Sequence, residues 1–298
     1  MNIIKDIRNL DVGKVIDNYY LNEHTTYKVG GKALCSVIPD DEESLIVLLK
    51  YLNENNIKHM ILGNGSNVIF NNSGYNGVII KLDNFSDLKI INNKVIVGAG
   101  YPLNKLAIRV SRLGLTGLEF AAGIPGTIGG AIYMNAGAYK SDIGYVLTSI
   151  KVLTPDYKVK NMTNKELDFH YRTSFLQKNK NYICLEATFT LIKGNSEEIM
   201  DLIAERKIRR IETQPLEYPS AGSVFRNPEG DFAGRLIEEI GYKGKSIGGA
   251  KVSEKHANFI INNGNATGEE VKELINEIKD KVKEKYNIEL KVEQEFIE

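Results

Sequence analysis

The chain reads Phe120-Ala-Ala-Gly-Ile-Pro-Gly-Thr-Ile-Gly-Gly-Ala-Ile-Tyr-Met-Asn-Ala-Gly-Ala-Tyr139 through a stretch without a charged residue. Glycine lets a main chain approach a ligand closely, and exposed amides in such turns bind phosphate. The stretch therefore predicts a wall that contacts a phosphate-bearing ligand. Two alternatives stay open: a glycine-rich turn inside an ordinary core, and a membrane helix, against which Pro125, Thr127 and Asn135 argue.

The composition indicates a globular protein of about two domains, with 298 residues, 42% hydrophobic and 26% charged. The formal net charge is zero, so no basic excess predicts a nucleic-acid partner. The first ten residues carry Lys5, Asp6 and Arg8 and lack a long apolar run. We expect a cytoplasmic protein without a membrane partner, either a monomer or a weak homodimer.

The residues that could bind a metal are sparse. Cys35 and Cys184 lie far apart in sequence, and the four histidines form no metal-binding spacing. We expect two reduced, buried thiols and no metal site.

Apolar periodicity predicts a mixed succession of helices and strands. The predicted helices are Asp40 to Asn56, Pro102 to Leu113, Ser196 to Thr213, Phe232 to Ile240 and Gly268 to Tyr286. The predicted strands are Met60 to Leu62, Val68 to Phe70, Val78 to Leu82, Leu88 to Ile91, Val95 to Val97, Val146 to Leu153, Ile183 to Leu191, Phe259 to Ile261 and Ile288 to Ile297. Two prolines between Gln214 and Pro219 mark a boundary before a smaller C-terminal domain.

Familiar nucleotide and hydrolase motifs do not account for the glycines. Neither Gly63/Gly65 nor Gly98/Gly100 continues into a Rossmann fingerprint. Gly244-Lys-Ser-Ile-Gly248 matches a nucleophile elbow, but no buried strand leads into it. Two amide-rich loops, Gly63 to Asn67 and Gly123 to Ala138, suit a long, bent, phosphate-bearing ligand, although two structural turns would give the same pattern.

Three isolated residues are candidates for chemistry. Arg172 follows a tyrosine, Ser223 follows a glycine, and Glu293 lies on the polar face of the predicted last strand. Each also fits an ordinary surface or turn position, and residue type alone does not decide between these readings.

A resemblance to a known family covers nearly the whole chain and decides between them. The segments that carry it, in order, are Thr25-Thr-Tyr-Lys-Val-Gly-Gly31, Gly63-Asn-Gly-Ser-Asn67, Ala122 to Ala138, Tyr171-Arg172, Ala221-Gly-Ser-Val-Phe-Arg-Asn-Pro228 and Gly248-Gly-Ala-Lys-Val-Ser-Glu-Lys-His-Ala257. Together they resemble the UDP-N-acetylenolpyruvoylglucosamine reductases (MurB).

The resemblance implies an α+β fold. Its FAD-binding domain would be of the vanillyl-alcohol-oxidase (PCMH) type, in two α/β subdomains at residues 1–85 and 86–212. A smaller α/β substrate-binding domain would follow at 213–298. It also implies a tightly bound FAD and NADPH as hydride donor. Hydride would pass through flavin N5 to the enolpyruvyl ether of UDP-N-acetylglucosamine, giving UDP-N-acetylmuramate for peptidoglycan synthesis.

The same resemblance implies roles for individual residues. Ser223 would donate the proton that completes the reduction, and Arg172 and Glu293 would hold and polarise the enolpyruvyl carboxylate. The implied cofactor contacts are Tyr27, Val29, Gly63, Asn64, Gly65, Ser66, Asn67, Gly123, Ile124, Pro125, Gly126, Thr127, Ile128, Gly129, Asn135, Gly137 and Ala138. Candidate contacts to the substrate are Arg210, Arg226, Asn227 and Lys251, each of which could equally be solvated surface.

The chain departs from the family pattern near its end, where Glu295 replaces an arginine and could compete with Glu293 for its role. The short connection from Arg235 to Lys251 indicates the subgroup without an extra loop that carries a tyrosine.

Two other functions stay open. An oxidase of small alcohols or sugars on the same FAD fold would be reoxidised by air without a UDP-sugar, but the segment Ala221 to Pro228 argues against it. A non-catalytic nucleotide-binding protein would take up no FAD, but the joint presence of Arg172, Ser223 and Glu293 argues against that.

Overall fold

A computed structural model describes residues 2–298. It shows two compact units, each assembled from separate parts of the sequence. The first unit comprises residues up to Asp17, Cys35–Asn64 and Gly77–Lys207. The second comprises Asn18–Leu34, Gly65–Asn76 and Ile208–Glu298. The predicted boundaries at 85 and 212 stay a prediction, because these units are discontinuous in sequence and define a different kind of division.

Eight α-helices lie within residues 2–298. They are α1 (Ile3–Asn9), α2 (Glu42–Glu54), α3 (Leu103–Arg112), α4 (Ile128–Met134), α5 (Phe175–Lys178), α6 (Ser196–Thr213), α7 (Ala233–Glu239) and α8 (Gly268–Tyr286). The helices predicted at α2, α3, α6, α7 and α8 are confirmed to within two residues at each end. Pro102 is the residue before α3 rather than part of its first turn.

The strands of the first half of the chain are β1 (Gly13–Asp17), β2 (Ala33–Pro39), β3 (His59–Ile61), β4 (Val68–Phe70), β5 (Tyr75–Ile80), β6 (Leu88–Ile91), β7 (Lys94–Gly98), β8 (Leu115–Thr116) and β9 (Gly137–Ala138). Those of the second half are β10 (Ser141–Asp142), β11 (Leu147–Leu153), β12 (Val159–Thr163), β13 (Ile183–Thr190), β14 (Ile192–Lys193), β15 (Ser246–Ile247), β16 (Ala250–Val252), β17 (Ile260–Asn262) and β18 (Glu295–Ile297).

The sheets are mostly antiparallel. A four-stranded sheet has the order β1-β2-β5-β3, in which β3 runs parallel to β5. An antiparallel five-stranded sheet has the order β12-β11-β13-β7-β6, and a three-stranded sheet has the order β15-β16-β17. The parallel pair β4 and β18 joins Val68 to Glu295 near the end of the chain.

Helix α8 provides the apolar surface around which much of the second unit packs. A capping box starts it: the Thr267 hydroxyl accepts a hydrogen bond from the Glu270 amide, and the Glu270 carboxylate accepts one from the Thr267 amide. The apolar stripe of the helix is fully buried and consists of Val271, Leu274, Ile275, Ile278 and Val282. The helix therefore follows from local signals and from its 3.6-residue period.

The predicted strand Ile288 to Ile297 is wrong over most of its length. Only Glu295–Ile297 forms a strand, Val292 makes a single bridge to Phe225, and the chain bends at Gln294. The alternating pattern misleads because Val292 and β18 pair with different neighbours. The bend between them changes which side chains lie on the same face. Alternation therefore does not place Glu293 and Glu295 on one strand face.

The uncharged stretch forms no long helix. It contains a 3₁₀ turn at Glu119–Ala121, the seven-residue α4 and the short β9. Since its α-helix has only seven residues, the membrane-helix alternative for this stretch is wrong. Across residues 2–298, no helix is long and apolar enough to span a membrane.

We expect Gly268→Ala to destabilise the second unit by about 1–3 kcal/mol. A Cβ atom there would lie 2.0 Å from the Phe70 carbonyl oxygen, so backbone would have to move. Urea unfolding, with the midpoint and slope fitted together, measures the change.

The matched control is Gly234→Ala in α7, where a Cβ would meet its nearest neighbour, a His256 ring carbon, at 3.6 Å. We expect this change to be neutral or slightly stabilising, because alanine favours a helix over glycine. Equal losses in the two variants would contradict the steric explanation.

Candidate functional site

The loop Gly63 to Asn67 presents a run of unused amide donors. Within residues 2–298, the amides of Gly63, Asn64, Gly65 and Ser66 donate no hydrogen bond. Consecutive free amides in a turn are a good receptor for phosphate oxygens. This loop therefore fits the diphosphate of a dinucleotide cofactor.

Glycine is required in this loop because other chain segments approach it closely. A Cβ at Gly63 would lie 2.8 Å from Thr127 Oγ1, and a Cβ at Gly65 would lie 2.6 Å from the His24 carbonyl oxygen. Gly65 also has φ +61°. The contact with Thr127 brings two predicted cofactor-binding segments of the first unit together.

In the glycine-rich stretch, fewer amides are available than the sequence predicts. Ile128 and Gly129 donate their amides to the carbonyls of Tyr101 and Ala99, at 2.9 and 2.8 Å. Those of Gly123, Gly126 and Thr127 donate to no acceptor within residues 2–298. Thr127 also starts α4, with its hydroxyl accepting from the Gly130 amide. Free donors therefore remain in the turn that precedes the helix.

Two of the predicted cofactor contacts have buried side chains. Tyr27 is 0% and Val29 is 1% exposed, and both belong to the apolar core of the second unit. The Tyr27 hydroxyl donates to the Ile260 carbonyl at 2.7 Å, and burial raises the pKa of that hydroxyl. Their predicted contact with a cofactor would have to come from the backbone.

The remaining predicted cofactor contacts differ in exposure. Gly123 and Pro125 are exposed, Ile124 and Ala138 are half-buried, and Gly137 is buried. The predicted contacts of these residues with FAD stay predictions.

Ser223 and Glu293 lie close together in the second unit because the backbones of Val224 and Glu293 pair. The Glu293 amide donates to the Val224 carbonyl at 2.8 Å, one residue after Ser223. Both residues are half-buried. The pairing joins a loop and a C-terminal segment that are far apart in sequence, so the Ser223 hydroxyl and the Glu293 carboxylate belong to one locality.

Two buried amide side chains bond the backbone before and after Ser223 in the sequence. Gln294 is 4% exposed, and its Nε2 donates to the carbonyls of Ala221 and Gly222, at 3.1 Å each. Asn258 is also 4% exposed and bonds both the amide and the carbonyl of Phe225, at 2.9 and 2.8 Å. Ser223 therefore lies between two fixed points of the chain.

Asn67 links the predicted cofactor loop to the same C-terminal segment. Its side-chain amide donates to the Glu293 carbonyl at 3.1 Å, and its own carbonyl accepts from the Glu295 amide at 2.9 Å. Within the second unit, Asn67, Ser223 and Glu293 are thus brought together.

Arg172 belongs to the first unit and occupies a tight turn. His170 and Thr173 exchange two backbone hydrogen bonds of 3.0 Å each, and Arg172 lies within that turn with φ +54°. Its guanidinium donates to the Gly137 carbonyl at 2.6 Å and lies 5.2 Å from the Tyr171 ring centroid. A cation held in this way can bind a carboxylate with little reorganisation.

The candidate substrate contacts are dispersed, and their side chains make local bonds. Arg210 donates to Gln214 at 3.0 Å, and Lys251 pairs with Glu254 at 2.7 Å. Asn227 accepts from the Ala233 amide at 3.1 Å, near the start of α7. Arg226 is half-buried, and its amide donates to the Lys291 carbonyl. Their contact with a substrate stays a prediction.

The cysteines are both buried and free of disulfide bonds, as predicted. Within residues 2–298, no group of three or more His, Cys, Asp or Glu side chains could hold a metal ion.

Comparison with known proteins identifies the family. A model of an FAD binding domain matches residues 33–163, and one of the UDP-N-acetylenolpyruvoylglucosamine reductase C-terminal domain matches residues 214–297. A UDP-N-acetylenolpyruvoylglucosamine reductase of Halalkalibacterium halodurans is 47% identical over 99% of this chain and 98% of its own length. The chain belongs to the UDP-N-acetylenolpyruvoylglucosamine reductase family. The resemblance seen in the motifs is confirmed, and the protein is an FAD-dependent oxidoreductase.

Other UDP-N-acetylenolpyruvoylglucosamine reductases agree with this assignment. The Bacillus subtilis protein is 43% identical over 99% of this chain and 98% of its own length. The crystal structure of the Thermus caldophilus reductase (MurB) has a TM-score of 0.80 at 33% identity, covering 96% of this chain and 98% of that one. The predicted α+β fold, with an FAD-binding part and a distinct C-terminal part, is confirmed.

Sequence reasoning missed the residues that hold the site in place. Gln294 continues the series of every second residue that contains the apolar Leu290 and Val292. An amide side chain in such an apolar series is a signal of a buried hydrogen bond. Lys81 directly follows the buried end of β5, which is an unusual place for a cation.

Lys81 adds a positive charge beneath the amide-rich loop. Its side chain is 13% exposed, and its ammonium donates to the Gly63 carbonyl at 2.5 Å. Asp83 lies 3.8 Å away but is 53% exposed, so solvent screens its charge. Desolvation lowers the pKa of the Lys81 ammonium, and a nearby diphosphate would favour its charged form.

We expect Lys81→Met to weaken FAD binding about tenfold, because about 1.4 kcal/mol of attraction to the diphosphate is lost. Fluorescence titration of the flavin-free protein measures the dissociation constant. Lys81→Arg, which keeps the charge, is the control.

Riboflavin, which lacks the diphosphate, separates electrostatic from structural loss. We expect its affinity to change less than twofold in Lys81→Met. Equal weakening of riboflavin and FAD would show that Lys81 only supports the loop.

Proposed function

We propose that this protein reduces the enolpyruvyl ether of UDP-N-acetylglucosamine to UDP-N-acetylmuramate, with NADPH as hydride donor. The observation that carries the proposal is similarity along nearly the full chain to relatives named UDP-N-acetylenolpyruvoylglucosamine reductase. FAD, when bound, supplies a carrier that accepts a hydride from one substrate and releases it to another. The chain's own residues would orient the enolpyruvyl group, stabilise the negative charge that develops on it and donate a proton.

Free amides support FAD as the group that fits here. In the first unit, a diphosphate would accept from the amides of Gly63 and Asn64. In the first unit, Gly126 and Thr127 offer two further donors.

Arg172 would bind the carboxylate of the enolpyruvyl group. When hydride reaches the methylene carbon, the electron pair of the double bond moves to the adjacent carbon and its carboxylate. A guanidinium stabilises this developing charge, provided that it is already oriented. The turn geometry and the bond to the Gly137 carbonyl support such preorganisation.

Ser223 would then give its hydroxyl proton to the adjacent carbon, which completes the reduction of the double bond. A serine hydroxyl is a weak acid, so it can protonate only a strongly basic carbon, and the alkoxide it leaves needs nearby donors and later reprotonation from solvent. Glu293 would polarise the enolpyruvyl carboxylate, and it must itself be protonated or hydrogen-bonded there to avoid repulsion.

A place in peptidoglycan precursor synthesis follows from the proposed product, and a cytoplasmic location would give access to NADPH and nucleotide sugars. Both rest on the identity of the substrate. A visible spectrum of purified protein tests it: NADPH should bleach the flavin band, and the enolpyruvyl UDP-sugar should restore it without oxygen. Rapid recovery of the flavin band in air without the UDP-sugar would instead favour an oxidase. A colourless protein that takes up no FAD would favour a non-catalytic role.

We expect Ser223→Ala to leave flavin reduction by NADPH within about twofold of the wild-type rate and to slow reoxidation by substrate at least about 100-fold. Loss of a positioned general acid has an effect of this size. Anaerobic stopped-flow absorbance measures the two half-reactions separately. Normal reoxidation in the variant would remove Ser223 from the mechanism.

We expect Glu293→Gln to slow reoxidation by about tenfold or more, and Glu295→Gln to change it less than about threefold. The backbone of Glu293 pairs with the loop that bears Ser223, whereas Glu295 belongs to β18 beside Val68. The same stopped-flow assay compares them, and a larger loss in Glu295→Gln would reverse the assignment.

A further inference from the structure

Asn135 ends helix α4 in the left-handed region, with φ +43°. Its side chain is buried, with the residue only 2% exposed. The side-chain Nδ2 donates to the His170 carbonyl at 2.9 Å, and Oδ1 accepts from the Gly144 amide at 3.0 Å. The side-chain nitrogen and oxygen therefore each have a partner within the protein, and the residue is almost fully buried.

The His170 carbonyl belongs to the turn that carries Arg172. The His170 amide donates to the Thr173 carbonyl, and the Thr173 amide donates back to the His170 carbonyl, so the bond from Asn135 falls on the base of this turn. Arg172 has φ +54°, a backbone conformation that is disfavoured for residues other than glycine, so its surroundings must hold it there. Asn135 supplies part of that surrounding structure.

Further bonds join the same two segments. Ser174, which is fully buried, donates its hydroxyl to the Tyr133 carbonyl in α4 at 2.7 Å. Just after α4, the Gly137 carbonyl accepts from the Arg172 guanidinium. The turn is thus attached to α4 and its C-terminal extension on both sides of Arg172, and Asn135 provides the link on the N-terminal side.

We propose that Asn135 is a positioning residue that orients Arg172 for the enolpyruvyl carboxylate, rather than a cofactor contact. The inference rests on the function proposed above. Removal of the Asn135 side-chain amide leaves the His170 carbonyl without this hydrogen-bond donor, which loosens the turn. A displacement of about 1 Å at a charge-stabilising group can slow the chemical step about 100-fold.

The main test is Asn135→Gly, because glycine keeps the left-handed backbone and removes only the side-chain bonds. We expect substrate-dependent reoxidation to slow about tenfold or more, with flavin reduction by NADPH within about twofold of wild type. Asn287→Gly is the matched control: Asn287 ends α8 in the same conformation, at φ +55°, but is exposed. It should leave both rates unchanged.

A double-mutant cycle with Arg172→Ala distinguishes positioning from general loss of structure. If Asn135 acts through Arg172, Asn135→Gly should add less than about twofold to the loss already caused by Arg172→Ala. Multiplicative losses would overturn the proposal, as would unchanged reoxidation in Asn135→Gly alone. A wild-type protein whose reduced flavin is not reoxidised by the UDP-sugar would instead refute the proposed function.

Hydrogen exchange gives a readout that does not depend on turnover. The Thr173 amide, which bonds to the carbonyl held by Asn135, should exchange about tenfold faster in Asn135→Gly, while amides of α8 keep their wild-type protection. If Asn135→Gly does not fold, Asn135→Asp keeps the acceptor for Gly144 but loses the donor to His170, and is expected to show the same two effects. Unchanged exchange at Thr173 in a folded variant would overturn the proposal.

Discussion

Each unit depends on close approach between separate segments of its main chain. In the first unit, a Cβ at Gly100 would lie 1.8 Å from the Leu82 carbonyl oxygen, and one at Gly98 would lie 2.1 Å from that of Phe85. In the second, a Cβ at Gly31 would lie 2.2 Å from the Asn72 carbonyl oxygen. A side chain at any of these three positions would require the backbone to move, so the main chain follows a fixed path there.

Fixed loops allow a small number of buried amide side chains to organise the chemistry. Gln294 and Asn258 hold the loop of Ser223, and Asn135 holds the turn of Arg172. In each case a side-chain amide satisfies backbone groups that regular secondary structure leaves unpaired, and breaking such a buried bond costs more than forming it gains. The residues proposed to react are thus held by neighbours with no part in the reaction itself.

The accuracy of the sequence predictions depended on how local their signals were. Helix α8 was predicted to the residue because its capping box and its apolar stripe lie within or directly beside its own sequence. The final segment was predicted wrongly because its alternation reflects two different neighbours, Phe225 and β4, that lie far away in sequence. Likewise, the free amides of the glycine-rich stretch could not be told from the used ones, because the carbonyls of Ala99 and Tyr101 that accept from it lie in another segment.

The sequence by itself determined the family, the FAD-binding class and most of the helices, because motif order and helical periodicity are properties of consecutive residues. Only the tertiary structure decided that Ser223 and Glu293 share one locality, that Tyr27 and Val29 are core residues, and that the Asn135 amide is bonded at both ends. The physical reason is that burial and hydrogen-bond saturation depend on segments that meet only in the folded chain, and residue spacing carries no record of those partners.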